Sequence, residues 1–584
     1  MKKLLSGNEA IARGAYEAGV RVAAAYPGTP STEILENIVN YPEIYAEWSP
    51  NEKVALEVGI GASIAGARVL VAMKHVGVNV AADPLMTVAY TGVNGGLVLV
   101  SADDPGMHSS QNEQDNRFFA KFAQIPLLEP SDSQEAKDML KIAYTISEKF
   151  DTPVLLRTTT RVAHSKSLVE LENREEVTLK DYEKNAKKYV MLPAFARLRH
   201  PLVEERREKL RQYNESSQLN RVEKGSRKIG VITSGVAYQY VKEALPEASV
   251  LKLGMTYPLP KKLISEFVKS VETCYVIEEL EPFLEEQLKA WGLKVIGKEV
   301  FSRIGELSPE IIAQKLGRQA QAEVAAGGTT EAIPVRPPVL CPGCPHRAVF
   351  YTLKKLDLIV TGDIGCYTLG ATSPLTSMDT CICMGASIGM AHGMEKARGK
   401  EFAKRVVAVI GDSTFIHSGI TGLVNMVYNS GVSTVLILDN GTTAMTGHQD
   451  HPGTGVTLGK KQVRSVDFVA LVKALGVERV QTVDPYDLKA VEKAIQTEVE
   501  AEEPSVIIFK RPCVLLKGKE PKGCAWVDTE ICLNCTECSK LGCLSLVYKR
   551  EGYTPDVNTT LCNGCGLCAK ACRYGAILKE GDHE

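Results

Sequence analysis

The chain has 584 residues, 24% of them charged, with a formal net charge of −2; this length implies roughly three to five domains, and the balanced charge argues against a nucleic-acid surface. The first residues carry two lysines but no apolar h-region, so no signal peptide is expected, and no apolar run reaches membrane-spanning length. The expectation is a soluble cytoplasmic protein in a reducing compartment, where sixteen cysteines point to metal or catalysis rather than to disulfides.

Residues 1–165 alternate helical patterns with short apolar runs at 20–25, 69–73, 96–101 and 153–157, which read as buried parallel strands of an α/β domain. A helix rich in small residues, Leu56-Glu57-Val-Gly-Ile-Gly-Ala-Ser-Ile-Ala-Gly66, lies inside it. Residues 166–226 are charged and poor in strand signals, a connecting segment in which Glu204-Glu-Arg-Arg-Glu-Lys-Leu-Arg reads as an exposed helix with a solvated face. A smaller α/β unit spans 227–318, with strands at 229–233, 250–253 and 275–278. Residues 319–338, with Ala325-Ala-Gly-Gly-Thr-Thr and Pro337-Pro338, form a linker. A third α/β unit over 339–515 carries strong strand runs at 406–410, 434–438 and 505–509. A cysteine-rich module, 524–584, closes the chain.

In the third unit one strand runs into Gly411-Asp412-Ser413, and the next strong strand runs into Asp439-Asn440-Gly441-Thr442. Ligands of open parallel sheets bind beyond the carboxyl ends of strands, where Asp412 and Asn440 would meet. A carboxylate, an amide oxygen and a backbone carbonyl suit Mg²⁺, with phosphate oxygens completing the shell. Gly411 lets the backbone turn close to phosphates, and Ser413 opens a helix whose N-terminus favours anions. The pattern resembles the thiamine diphosphate motif, a Gly-Asp-Gly followed one strand later by Asn, with Ser413 in place of the last glycine. The resemblance implies that Asp412, the Asn440 side chain and the Thr442 carbonyl hold the metal. It also implies a glutamate on another domain that hydrogen-bonds the aminopyrimidine ring. Glu57 is the first choice and Glu52 the competing one; the bland alternative is a packing helix whose acids face solvent.

Two cysteine rows follow, Cys532-x2-Cys535-x2-Cys538-x4-Cys543 and Cys562-x2-Cys565-x2-Cys568-x3-Cys572. This is the spacing of a two-cluster ferredoxin, in which the fourth ligand of each cluster comes from the other row. Cys532, Cys535, Cys538 and Cys572 are therefore assigned to one [4Fe–4S] cluster, and Cys562, Cys565, Cys568 and Cys543 to the other. The first row has one extra residue before its last cysteine, and Leu544 and Arg573 stand where that pattern has proline. Zinc sites use paired rather than triplet spacing. The chain is thus wired for one-electron transfer.

Taken together these features resemble the large (alpha) subunit of the 2-oxoacid:ferredoxin oxidoreductases, in their arylpyruvate-oxidising branch. The stretches that carry the resemblance are Tyr26-Pro-Gly-Thr-Pro-Ser-Thr-Glu33, Asn51-Glu-Lys-Val-Ala-Leu-Glu57, the 104–117 segment, Cys341-Pro-Gly-Cys-Pro-His-Arg347, Gly362-Asp-Ile-Gly-Cys366 and Thr443-Ala-Met-Thr-Gly-His-Gln449. The resemblance implies, in order, a pyrimidine-binding domain, a transketolase-C-like domain, a diphosphate-binding domain and a two-cluster ferredoxin domain. It implies thiamine diphosphate, Mg²⁺, two [4Fe–4S] clusters, a smaller beta subunit and an external ferredoxin. The implied reaction is oxidative decarboxylation of arylpyruvates (indolepyruvate, phenylpyruvate) with CoA to aryl-acetyl-CoA and CO₂. The alternatives are another 2-oxoacid class, a non-oxidative decarboxylase releasing aldehyde, and a structural electron-transfer subunit. Thr29 and Arg117 would lie near the substrate, Arg117 pairing its carboxylate; the bland alternative for Arg117 is a structural ion pair. Cys341, Cys344, Cys366 and Cys513 would hold a third cluster, with Cys381, Cys383 and Cys524 as competitors and buried thiols as the bland alternative.

Overall fold

Strand segments such as Val69–Lys74 and Leu97–Asp103 are apolar at nearly every position, and every residue in both is buried. That pattern belongs to a strand covered on both faces. The computed structural model describes residues 1–318, 337–518, 523–548 and 554–580; the linker expected over 319–338 lies, apart from Pro337 and Pro338, outside them. The chain divides into two compact units, Met1–Thr330 and Glu331–Glu584.

In the first unit a seven-stranded sheet has the order Met255–Tyr257, Leu127–Leu128, Val154–Thr159, Leu97–Asp103, Val69–Lys74, Val22–Ala25, Tyr45–Trp48. All neighbours are parallel except the Met255–Tyr257 edge, which runs antiparallel and comes from much later in the chain. Leu99 sits opposite both Val71 and Leu155, so the sheet's middle layer is hydrocarbon. A second sheet of four strands, Thr273–Ile277, Ser226–Ser234, Ala248–Leu253 and Arg221–Glu223, has a parallel core and an antiparallel edge.

The charged segment between the two sheets is the helix Pro193–Glu215. Its polar residues are not all solvated. Arg206 is buried and donates to the carbonyls of Asp151 and Ala89, and Asn214 donates to those of Met255 and Pro258. These contacts fix the helix to the sheet, and the solvated-face reading holds only for its outer side.

The second unit holds a six-stranded, all-parallel sheet, ordered Thr380–Cys381, Ile359–Gly362, Val406–Gly411, Thr434–Asp439, Ser505–Lys510, Arg479–Val483. Side chains alternate between two cores. Val407 and Val409 pack with Val349, Phe350 and Leu353 of the helix His346–Lys355, whereas Val406, Ala408 and Ile410 pack with Ile388, Leu423 and Phe468 on the other face. Each fully buried Val or Ile contributes about 1.5–3 kcal/mol. The cysteine-rich module has two antiparallel pairs, Ala525–Val527 with Ile577–Lys579 and Leu546–Tyr548 with Pro555–Val557. Among the described residues no helix is long and apolar enough to cross a membrane.

Candidate cofactor and cluster sites

At the carboxyl end of Val406–Gly411 the chain enters a short helical turn, Asp412–Thr414, and then a π-helical turn, Phe415–Gly419, a distortion common at functional sites. Gly411 is extended (φ −81°), and its missing Cβ makes room for the Tyr367 ring, which a Cβ would meet at 2.6 Å. Close packing against Tyr367, rather than a special backbone angle, is what requires glycine here. Asp412 is buried and accepts from the backbone N–H groups of Ser413 (2.8 Å) and Gly441 (2.9 Å); His451 Nε2 lies 3.2 Å away. Burial pushes its pKa up, but His451 and the two N–H groups outweigh that and hold it below the usual carboxylate value. Asp412 is therefore a buried, ionised carboxylate.

Asn440 stands at the neighbouring strand end, buried, with its Oδ1 accepting from the Thr442 N–H and its Nδ2 3.4 Å from His346 Nε2. Burial drives His346 down to about 4, so its ring is neutral at pH 7. The Thr442 hydroxyl donates to the Gln449 carbonyl, and Ser413 Oγ accepts from the Thr443 hydroxyl at 3.0 Å. Gly441 is left-handed (φ 70°) and faces open space. Among the described residues no three His, Cys, Asp or Glu side chains converge as a ready-made metal site. A carboxylate, an amide oxygen and a backbone carbonyl are donor types that would suit Mg²⁺.

Sequence reasoning missed His346, His451 and Asp363. Asp363 follows the Ile359–Gly362 strand and accepts from the N–H groups of Ile364, Gly385 and Ser387; burial raises its pKa to about 6. Its signal was present, since it too is an acid directly after a strand run. The two histidines come from a distant helix and a long loop, and only the fold brings them in.

All sixteen cysteines are free thiols among the described residues. One cavity is lined by Cys532, Cys535, Cys538 and Cys572, and a second by Cys543, Cys562, Cys565 and Cys568. The structure thus gathers the two rows in crossed sets. Asn534 and Thr536 in one loop, and Gly564 and Gly566 in the other, are left-handed, curling the backbone so that N–H groups turn toward the sulfurs. The Ala576 N–H reaches Cys572 Sγ at 3.3 Å, that of Ala525 reaches Cys562 Sγ at 3.4 Å, and Tyr548 Oη lies 3.2 Å from Cys538 Sγ.

Cys341, Cys344, Cys366 and Cys513 act on one another electrostatically without converging as a ready-made metal site. Cys366 is within electrostatic reach of Cys513 and Cys341, Cys344 of Cys341 and Cys366, and Cys513 of Cys341. Burial pushes Cys344 up to about 12 and Cys366 to about 11. The Cys513 N–H donates to the Asn440 carbonyl at 2.9 Å, which ties this set to the Asp412 site. The competitors lie elsewhere: Cys381 Sγ is 3.4 Å from the Asp363 carbonyl, Cys383 also faces Asp363, and Cys524 neighbours Cys562.

In the first unit, Thr29 sits half-buried before a cis Thr29–Pro30 bond; its carbonyl accepts from the Ser109 hydroxyl at 3.5 Å, and the preceding Gly28 packs against Lys74. Lys74 Nζ donates to the Ser109 carbonyl at 2.6 Å, and burial lowers its pKa to about 8. Glu57 lies at the surface: its side chain is 45% exposed and pairs with Lys53. Glu52, the first residue of the helix Glu52–Ile64, is buried against Gly77, whose added Cβ would meet Glu52 Cγ at 2.7 Å. Arg117 is 1% exposed, bonded to Asp115, to Glu278 and to the carbonyls of Glu279 and Glu281. All three of its guanidinium nitrogens are bonded within the protein, the arrangement of a structural ion pair.

The family described as pyruvate flavodoxin/ferredoxin oxidoreductase, thiamine diphosphate-binding, matches residues 13–228. The C-terminal TPP-binding domain of thiamine pyrophosphate enzymes matches 363–509, and a 4Fe–4S binding domain matches 555–578. The chain is 42% identical over 615 residues to the indolepyruvate oxidoreductase subunit IorA of Archaeoglobus fulgidus, covering 99% of this chain and 97% of that relative. It is 42% identical over 637 residues to the IorA subunit of Pyrococcus horikoshii, covering 100% and 98%. A solved 2-oxoglutarate:ferredoxin oxidoreductase from Magnetococcus marinus is similar at a TM-score of 0.45 and 18% identity, over 54% of this chain and 65% of that one.

Proposed function

The chain belongs to the indolepyruvate oxidoreductase subunit IorA family of 2-oxoacid:ferredoxin oxidoreductases, and on that footing we propose that it oxidises arylpyruvates, indolepyruvate and phenylpyruvate, with CoA to aryl-acetyl-CoA and CO₂. Thiamine-dependent 2-oxoacid:ferredoxin oxidoreductase activity follows from the family and its domains; the substrate class and the CoA step are our reading. Bound thiamine diphosphate supplies the electron sink for decarboxylation, and iron–sulfur clusters supply acceptors that take electrons singly.

The chain's own residues divide the work. Asp412, ionised although buried, holds Mg²⁺ together with the Asn440 amide oxygen and the Thr442 carbonyl. Gly411 and Ser413 line the diphosphate, with the Ser413 N–H already committed to Asp412. Neutral His346 steadies the Asn440 amide from behind. Within the first unit Glu52, rather than Glu57, is the buried acid of its helix, and so the candidate for the aminopyrimidine contact. Thr29 would lie near the 2-oxoacid. The crossed cysteine sets hold two [4Fe–4S] clusters, and Cys341, Cys344, Cys366 and Cys513 hold a third close to the thiamine site. A smaller beta subunit completes the enzyme, an external ferredoxin takes the electrons, and the assembly works in the cytoplasm.

The observation that carries this reading is the hydrogen bond from the Cys513 N–H to the Asn440 carbonyl: cluster ligand and metal ligand share one peptide contact. The test is an anaerobic assay of the chain with its partner subunit, thiamine diphosphate, CoA and a viologen dye. Dye reduction with indolepyruvate and phenylpyruvate is expected. Reduction with pyruvate alone would overturn the aryl assignment, and aldehyde without dye reduction would favour a non-oxidative decarboxylase. About twelve iron atoms per chain, rather than about eight, are expected for three clusters.

A further inference from the structure

Arg347 is 3% exposed, and its guanidinium donates only to carbonyl oxygens. Nε donates to Cys341 O (2.9 Å) and Nη2 to Leu340 O, on the loop that bears Cys341 and Cys344. Nη1 donates to Leu541 O (3.0 Å) and Gly542 O (2.6 Å), directly before Cys543. The titratable groups that act on it most strongly are cysteines, Cys543 first, then Cys344, Cys341 and Cys565. A buried cation among carbonyls, with no carboxylate partner among the described residues, is costly unless an anion lies beside it. Thiolates bound to iron are the anions that this site can offer.

The docking of the two loops is equally one-sided. Asn563 Nδ2 donates to Pro342 O at 2.8 Å, and Tyr486 Oη donates to Gly343 O. Gly343 is left-handed (φ 69°) and flush against the Asn563 amide, which an added Cβ would meet at 2.3 Å. Lys570 Nζ in turn holds Tyr486 O at 2.9 Å. Gly343 and Arg347 line the cavity of Cys543, Cys562, Cys565 and Cys568, whereas the cavity of Cys532, Cys535, Cys538 and Cys572 is lined by neither.

We propose that Arg347 is a positioning residue for electron exit: it clamps the 341–344 loop to the Cys543 end of the ferredoxin module and keeps a fixed positive charge beside the cluster held by Cys543, Cys562, Cys565 and Cys568. The charge favours the reduced, more negative cluster and so raises its reduction potential. That cluster, rather than the Cys532 one, is then the first acceptor in the module. The inference rests on the cluster assignments of the proposed function but not on its substrate.

The test is an EPR-monitored redox titration of the intact two-subunit enzyme, reduced chemically so that no 2-oxoacid is needed. Arg347→Gln is expected to make reduction of one cluster about tenfold less favourable, a negative shift of about 59 mV for a one-electron couple. Tyr548→Phe removes the phenol beside Cys538 and marks the other cluster of the module. Support is a signal that moves in R347Q and stays in Y548F. Unchanged potentials in R347Q, or movement of the same signal in both variants, would overturn the proposal. Should R347Q lose iron, Arg347→Lys decides, because it keeps the charge without the four-carbonyl fork. Wild-type potentials with slowed electron transfer between clusters support the clamp, and wild-type behaviour in both respects, or a potential that falls although the charge is kept, overturns it. About eight iron atoms per wild-type chain would remove the third cluster from the reading, while the shift in R347Q would still report on the charge.

Discussion

Five residues separate Glu52 from Glu57, and on an α-helix that is about 140° of rotation. When one acid faces the sheet's ligand end, the other must face away, and burial decides which is which. The helix rich in small residues made Glu57 the first choice; the structure leaves Glu57 with Lys53 at the surface and buries Glu52 against Gly77. Glu52→Gln is expected to lower kcat by about 10²–10⁴-fold, the range for losing a positioned proton-transfer group, with thiamine diphosphate still bound. Glu57→Gln is expected to leave turnover near wild type. Steady-state assays on the pair check this, and the opposite ranking would return the role to Glu57. Asp412, Asn440 and the cysteine rows were legible because each is fixed by local spacing at a strand end or loop. His346 and His451 were not, because their relation to Asp412 and Asn440 exists only after folding.

Buried parallel strands announce themselves as unbroken apolar runs, and Val406–Gly411, Thr434–Asp439 and Ser505–Lys510 lie where such runs fall. The edges do not. Tyr45–Trp48 has a polar face, and Met255–Tyr257 joins a sheet whose other strands end about a hundred residues earlier, a pairing without a periodic signal. What holds that edge region is partly ionic. Arg117, at the start of the helix Arg117–Ala123, reaches Glu278 at the end of the Thr273–Ile277 strand and so joins the two α/β layouts of the first unit. Arg117→Met leaves Asp115 and Glu278 buried without their cation, and a loss of about 3–5 kcal/mol is expected. Denaturant unfolding measures it. At permissive temperature the KM for the 2-oxoacid should be unchanged; a raised KM without lost stability would place Arg117 at the substrate site.

The first unit as a whole buries more acid than base around that tie. Asp103, Asp115, Glu129, Glu278 and Glu279 surround Arg117 and Arg157. Burial raises Glu279 to about 7 and shifts Asp103 and Glu278 upward as well. The sign of the consequence follows from linkage. A carboxyl whose pKa is higher folded than unfolded binds its proton more tightly in the native state. Its contribution is full below the unfolded value near 4.5, falls as pH rises toward 7, and is flat beyond. Glu279 alone would remove on the order of 3 kcal/mol across that window. Glu279→Gln keeps an oxygen to accept the Leu307 N–H, at present 3.1 Å from Oε1, and never carries the charge. The variant is therefore expected to match wild type in thermal midpoint near pH 4, to exceed it progressively up to about pH 7, and to hold that gain at pH 8. Anaerobic melting curves across that range decide the matter, and a constant offset between the two proteins would mean that Glu279 does not titrate there.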